Sequence, residues 1–187
     1  MIHAALTHIR DILNQSFKNQ FSISENKVVL SNIIKSDGSV DPNIESKIVF
    51  FLVSIEEEST LKNSLSRSVS KNSGSFAYKS PSLHLNMHLL FCANFDGAVY
   101  PEGLKYLSFL IRFFQSNRKI SIRNSDSNLK ELSLEISKLE FSQLSHLWSA
   151  LGSKLMPSVL YKVRTIVFDD ETIEKITPSI KGIDNQT

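Results

Sequence analysis

The sequence predicts an α+β domain, a mostly antiparallel sheet with helices packed on one face. Three observations carry that prediction. The run Ile48–Val53 (IVFFLV) and the two-residue alternation from Leu83 to Ala93 have the character of strands. Ile2–Phe17 and Tyr100–Gln115 instead repeat apolar residues at helical spacing. A chain of 187 residues with 41% hydrophobic content and twelve Phe can fill one core of ordinary size without staples.

In order, Ile2, Leu6, Ile9, Leu13 and Phe17 share the apolar face of a first helix, with Ala5 and Ile12 beside it and an end at Asn19–Gln20. Lys27–Ile34 (KVVLSNII) is β-branched and extended, and Ser36–Pro42 is a loop turning at Asp37-Gly38. Ile44–Glu56 is the clearest strand. Its near-continuous apolar run predicts burial on both faces, in a central position or under another subunit.

From Ser59 to Ser80 the composition turns to Ser, Asn, Lys and Gly. Compact domains rarely keep a structureless connection longer than ~12–15 residues unless it has a task. Leu61, Leu65, Val69, Phe76 and Tyr78, with Arg67 among them, are too many apolar residues for an inert linker. They predict an extended arm or long hairpin that orders against a neighbour; a mobile hairpin tip is the alternative.

A half-buried strand follows, with Leu83, Leu85, Met87, Leu89, Phe91 and Ala93 on one face and His84, Asn86 and His88 on the other. In the Tyr100–Gln115 helix, Leu104, Leu107, Ile111 and Phe114 make one stripe. Phe109, Leu110 and Phe113 widen it beyond one core-facing band, so part of this helix is expected to face another protein. Ser121–Ser127 is polar loop. Leu132–Ile136 alternates as a strand, with a helix as rival because Leu, Glu and Lys favour one. Phe141–Leu151 is a helix capped at Ser142 or the residues before it and stopped by Gly152, and Ser158–Phe168 is a last strand. The expected organisation is one domain over residues 1–168 with an arm at 59–80. A C-terminal tail over 169–187 is loose but able to add a short edge element.

Little chemistry is written into this chain. A net charge of +2 with scattered Lys and Arg does not make a nucleic-acid surface. Six apolar residues are too few to span a membrane, and the amino terminus lacks the pattern of a signal peptide, so a cytoplasmic protein is expected. Cys92 is alone and reads as a small buried hydrophobe. His84 and His88 share a strand face but stand roughly 13 Å apart by strand rise, too far for one zinc ion. Glu56 and Glu58 can converge but lack a metal or catalytic partner motif, and read as a charged strand end that sets register with a neighbour. No phosphate loop or GxSxG turn occurs. Trp148, at helical spacing with Leu144, Leu147 and Leu151, is either core or an interface anchor. No catalytic, metal or cofactor residues are expected; the candidates are interface residues, namely Glu56, Glu58, Phe109, Phe113, Trp148 and the arm positions named above.

Several stretches together resemble one family: MIHAALTHIRDILN, NIESKIVFFLVSIEEESTLKN, YKSPSLHLNMHLLFCANF, YLSFLIRFFQ and FSQLSHLWSALGSKLMPSVLYKVR. They occur in family order across residues 1–168, and the chain is similar to the DUF4255 or Pvc16-like amino-terminal domain family. Its members are tube terminator, or cap, proteins of phage-tail-like contractile injection systems. The resemblance implies a fold like that of phage tail terminators and no enzymatic residues. It also implies a homohexameric ring that closes the distal end of the inner tube and contacts the sheath, with no nucleic-acid or membrane partner. The ring is expected to form in the cytoplasm and to end at the distal end of the particle. A baseplate or tube-associated adaptor of the same machine, and more remotely a small-molecule enzyme, are the alternatives.

Overall fold

A computed structural model describes residues 2–35, 37–39, 41–58, 67–69, 76–79, 84–122, 131–165 and 173–177; Thr165 and the segments 67–69, 76–79 and 173–177 are described by backbone alone. Among the described residues three α-helices, α1 (Ile2–Phe21), α2 (Tyr100–Ser116) and α3 (Phe141–Leu151), are set among nine strands. The strands are β1 (Val28–Leu30), β2 (Lys47–Glu57), β3 (Arg67–Val69), β4 (Phe76–Lys79), β5 (Leu85–Asn94), β6 (Lys119–Ser121), β7 (Glu131–Ile136), β8 (Ser158–Thr165) and β9 (Ile173–Thr177). A six-stranded sheet has the order β1-β2-β5-β8-β7-β6, antiparallel except for the parallel β1–β2 pair. A three-stranded sheet has the order β3-β4-β9 and is antiparallel throughout. This is the α+β class expected from the sequence.

The main core lies between the six-stranded sheet and helices α1 and α2. Ile48 and Phe50 of β2, Met87, Leu89 and Phe91 of β5, and Tyr161 and Val163 of β8 meet Leu6, Ile9, Leu13 and Phe17 of α1 and Leu110 and Phe114 of α2. Phe91 stacks on Phe50 at 4.9 Å and meets Phe114 and Tyr161 edge-on at 5.5 and 5.7 Å. Each such pair adds about 0.5–1.5 kcal/mol beyond the apolar area it buries. On the opposite face α3 covers a smaller cluster of Ile33, Ile44, Val49, Phe51, Leu90, Cys92, Trp148 and Leu160. The double-sided apolar run of β2 therefore belongs to a central strand. The half-buried reading of β5 is corrected for the same reason, since Leu90 and Cys92 point away from the main core and are buried under α3.

The sheet curls around its helices, and α1 touches both of its edges. Asn14 Nδ2 donates to the Val28 carbonyl at 2.8 Å, and the Val28 N–H donates to Asn14 Oδ1 at 2.9 Å. At the other edge His8 Nε2 lies 3.2 Å from the Ser121 carbonyl oxygen of β6. Six residues of helix rise only about 9 Å, whereas six strands laid flat span about 24 Å. Curling the sheet reconciles the two lengths.

Three local expectations change. The first helix runs on to Phe21, because that ring packs edge-on against Tyr106 at 4.9 Å and Phe109 at 5.2 Å, which outweighs weak stop signals at Asn19 and Gln20. In α2 the buried stripe is Gly103, Tyr106, Leu107, Leu110 and Phe114, and Leu104 is 40% exposed. The helix seats on Phe95 at Gly103, where an added Cβ would fall 2.7 Å from the ring, and that close approach fixes its rotation. Lys119–Ser121, which ends on the first residue of the expected polar loop, is strand β6, with Ile120 buried in the main core. The alternation of β7 is real, since it pairs with both β6 and β8, and the helical rival fails. The α3 boundaries stand, its cap is Glu140, one of the residues before Ser142, in a reciprocal box with Gln143, and Gly152 closes it at φ 66°.

Candidate assembly surfaces

The bulge between Leu52 and Ser54 governs the first surface. Counting alternately from Phe50 puts Ser54 and Glu56 on the main-core face. The extra residue, Val53, turns them to the other face, opposite His88 and Asn86. Two cross-strand rows result, Glu56–Asn86–Arg164–Ser133 and Ser54–His88–Lys162–Glu135. They form a polar half beside the apolar half that α3 covers. Ser54 Oγ lies 3.1 Å from His88 Nδ1, Glu56 Oε1 lies 3.9 Å from the same nitrogen, and Arg164 Nη2 lies 3.3 Å from Glu135 Oε2. Asn86, only 3% exposed, donates through Nδ2 to Glu58 Oε2 at 2.9 Å. Glu56 and Glu58 thus turn to different β5 residues.

The second surface joins the end of α1 to α2. A groove of about 420 Å³ is lined by Gln20, Phe21, Lys105, Ser108, Phe109 and Arg112. Phe109 is half-buried and meets Phe17 edge-on at 5.0 Å, while Lys105 Nζ stands 5.1 Å over the Phe21 ring and Arg112 5.5 Å over Phe109. Phe113 is half-buried against Phe114 at 5.5 Å. Most of the aromatic surplus read in this helix is therefore absorbed by α1 and the sheet.

The third surface escaped the sequence reading. Tyr100 at the start of α2 and Leu155 after α3 are exposed, Leu155 at 56%, and both line a cleft of about 440 Å³ with Phe95, Met156 and Pro157. Phe141, the first residue of α3, is 78% exposed. These are single apolar residues at element ends, where no periodicity marks them.

The remaining candidates divide. Trp148 is 2% exposed in the cluster beneath α3, so of its two readings the single chain supports the core one. Arg67 pairs with Tyr78 and Val69 with Phe76 along the β3–β4 backbone. Leu61 and Leu65 lie outside the described residues. Cys92 Sγ–H donates to the Val49 carbonyl at 3.4 Å, and burial pushes its thiol up to about 12. Among the described residues no three His, Cys, Asp or Glu side chains gather as a metal site, and no helix is long and apolar enough to cross a membrane.

Comparison with known proteins follows the same direction. The model of the Pvc16 N-terminal domain matches residues 4–181, in agreement with the resemblance read from the sequence. The fold is similar to the tube-terminating cap of the anti-feeding prophage at 14% identity and a TM-score of 0.62, covering 97% of this chain and 60% of that one. It is similar to the sheath/tube terminator of the extracellular contractile injection system PVC, in its extended state, at 13% identity and a TM-score of 0.62, covering 100% of this chain and 64% of that one. The chain thus spans less than two thirds of the length of either cap, and at these identities the likeness is one of fold. No curated protein matches by sequence.

Proposed function

The chain belongs to the Pvc16 N-terminal domain family, and from that membership we propose that it is a structural cap of a contractile injection system. Six copies form a ring that closes the distal end of the inner tube and contacts the surrounding sheath. The observation that carries this reading is a fold shared over 97% and 100% of the chain with two tube-terminating caps. The surfaces suit it. A closed ring needs two different patches on every copy, and the cleft at Tyr100 and Leu155 and the groove at Phe21 and Phe109 are two different surfaces of this chain available to that role. Copies assemble in the cytoplasm and finish at the distal end of the particle.

Electron microscopy of particles produced without this chain tests the reading. Tubes or sheaths of uncontrolled length, or with unstable ends, are expected. Particles of normal length with intact ends would overturn it.

A further inference from the structure

The two sheets treat their edges differently. In the six-stranded sheet, Asn14 occupies both outward main-chain groups of Val28, and His8 lies against the Ser121 carbonyl. An edge plugged in this way accepts another strand only by giving up those contacts. In the three-stranded sheet β4 is paired on both sides, and neither β3 nor β9 has a second strand beside it among the described residues. Its strands are three, four and five residues long. So small a sheet is marginal alone and gains from added strands.

Topology shows how this sheet arises. β3 follows β2, β4 precedes β5 and β9 follows β8, so the order β3-β4-β9 repeats the central trio β2-β5-β8. From the pair Glu57–Leu85 to the pair Arg67–Tyr78, one strand advances ten residues and its partner seven. From Asn86–Arg164 to Tyr78–Lys175 the advances are eight and eleven. Pairing of the trio resumes with each outer strand three residues longer than the middle one.

Strand direction then decides which symmetry can use the two edges. β3 and β9 are both antiparallel to β4, so they run parallel to each other. A two-fold pair sets an edge against its own copy, β3 on β3 or β9 on β9. A ring sets the two different edges together, and around a rotation axis lying along the strands that pairing is parallel. We propose that copies of this chain join through these edges, β9 of one copy pairing in parallel with β3 of the next, so that the short sheets merge into one band around the ring. The occupant of each edge is a second copy, because every copy supplies one edge of each kind in the matching direction. Main-chain hydrogen bonds of this type bind without demanding particular side chains. The proposal rests on the ring reading above.

Cross-linking of the full chain tests it. Ser68→Cys on β3 and Glu174→Cys on β9 are made singly and together, and each protein is treated with a short bismaleimide; Cys92 is fully buried and does not compete. The double variant should give a covalent ladder ending at six copies. A mixture of the two single variants should give dimers only, and neither single variant should cross-link alone. Dimers from one single variant would mean that an edge meets its own copy, which overturns the proposal. A native mass of six copies with no cross-link in the double variant would overturn the strand pairing and leave the ring standing. A monomeric native mass for every variant and for the unmodified chain would overturn the ring as well.

Discussion

Asn14 and Val28 meet through two hydrogen bonds that close a ring between a side-chain amide and the main-chain N–H and C=O of one residue, at 2.8 and 2.9 Å. The amide stands where the peptide of a further strand would stand, so one helical residue both docks α1 and finishes the edge of β1. Asn14→Leu keeps the size but leaves two buried main-chain groups without partners, at about 1–3 kcal/mol each. The expected loss in chemical denaturation is about 2–6 kcal/mol. An unchanged midpoint would mean that water replaces the amide without cost.

Gly103 is held against Phe95, whose Cγ, Cδ2 and Cβ would lie 2.7–2.8 Å from an added Cβ. Gly103→Ala gains about 1 kcal/mol of helix propensity but overpacks a buried contact, at about 1–3 kcal/mol. A net loss of about 1 kcal/mol is expected. Combining it with Phe95→Leu should cost less than the sum of the two single changes, and additivity would show that the two residues do not share one space.

Trp148 distinguishes core from interface. Trp148→Ala should cost about 3–5 kcal/mol of stability in the isolated chain. Emission from this sole tryptophan should be blue-shifted in the native state. A stable variant that fails only in assembly would return Trp148 to the interface.

The hydroxyl of Tyr161 is buried without a hydrogen-bond partner among the described residues, and burial pushes its pKa up to about 12. Tyr161→Phe removes an unpaired polar group, so the variant should equal or exceed the parent in stability, by up to about 1 kcal/mol. A loss of that size would reveal a partner for the hydroxyl in solution.

Glu25 bridges Lys27 at 3.0 Å and Lys47 at 3.4 Å, tying the turn after α1 to the start of β2. The hydrogen bond from Lys27 holds its carboxyl below the ordinary value of 4.5. Its contribution is therefore fully present above pH 4.5 and is lost as pH falls through the lowered folded value. The stability difference between the parent and Glu25→Gln should be constant above that pH and shrink below it. A difference independent of pH would mean that the bridge does not depend on charge.

The class of fold and most of its elements were legible in the residues. The apolar run of β2 announced a strand buried on both faces, the alternation of Leu132 and Leu134 favoured a strand at β7 over its helical rival, and the spacing of Leu144, Trp148 and Leu151 with Gly152 bounded α3. The candidate surfaces were less legible. Phe109 and Phe113 stood out as surplus apolar residues, yet α1 and the sheet cover much of them, while Tyr100, Phe141 and Leu155 carry exposed apolar surface at element ends that no pattern marks.

What the sequence by itself determined is local: which segments are helix or strand, where two of the helices stop or begin, and that β2 is buried twice over. Those properties depend on period and on residues a few positions apart. Only the tertiary structure decided that Val53 bulges and turns Glu56 toward His88, that α2 rotates onto Phe95 at Gly103, and that the sheet curls until α1 reaches both edges. Each of these is set by contacts between residues far apart in the chain, whose packing energy outweighs the small local preferences that a pattern records.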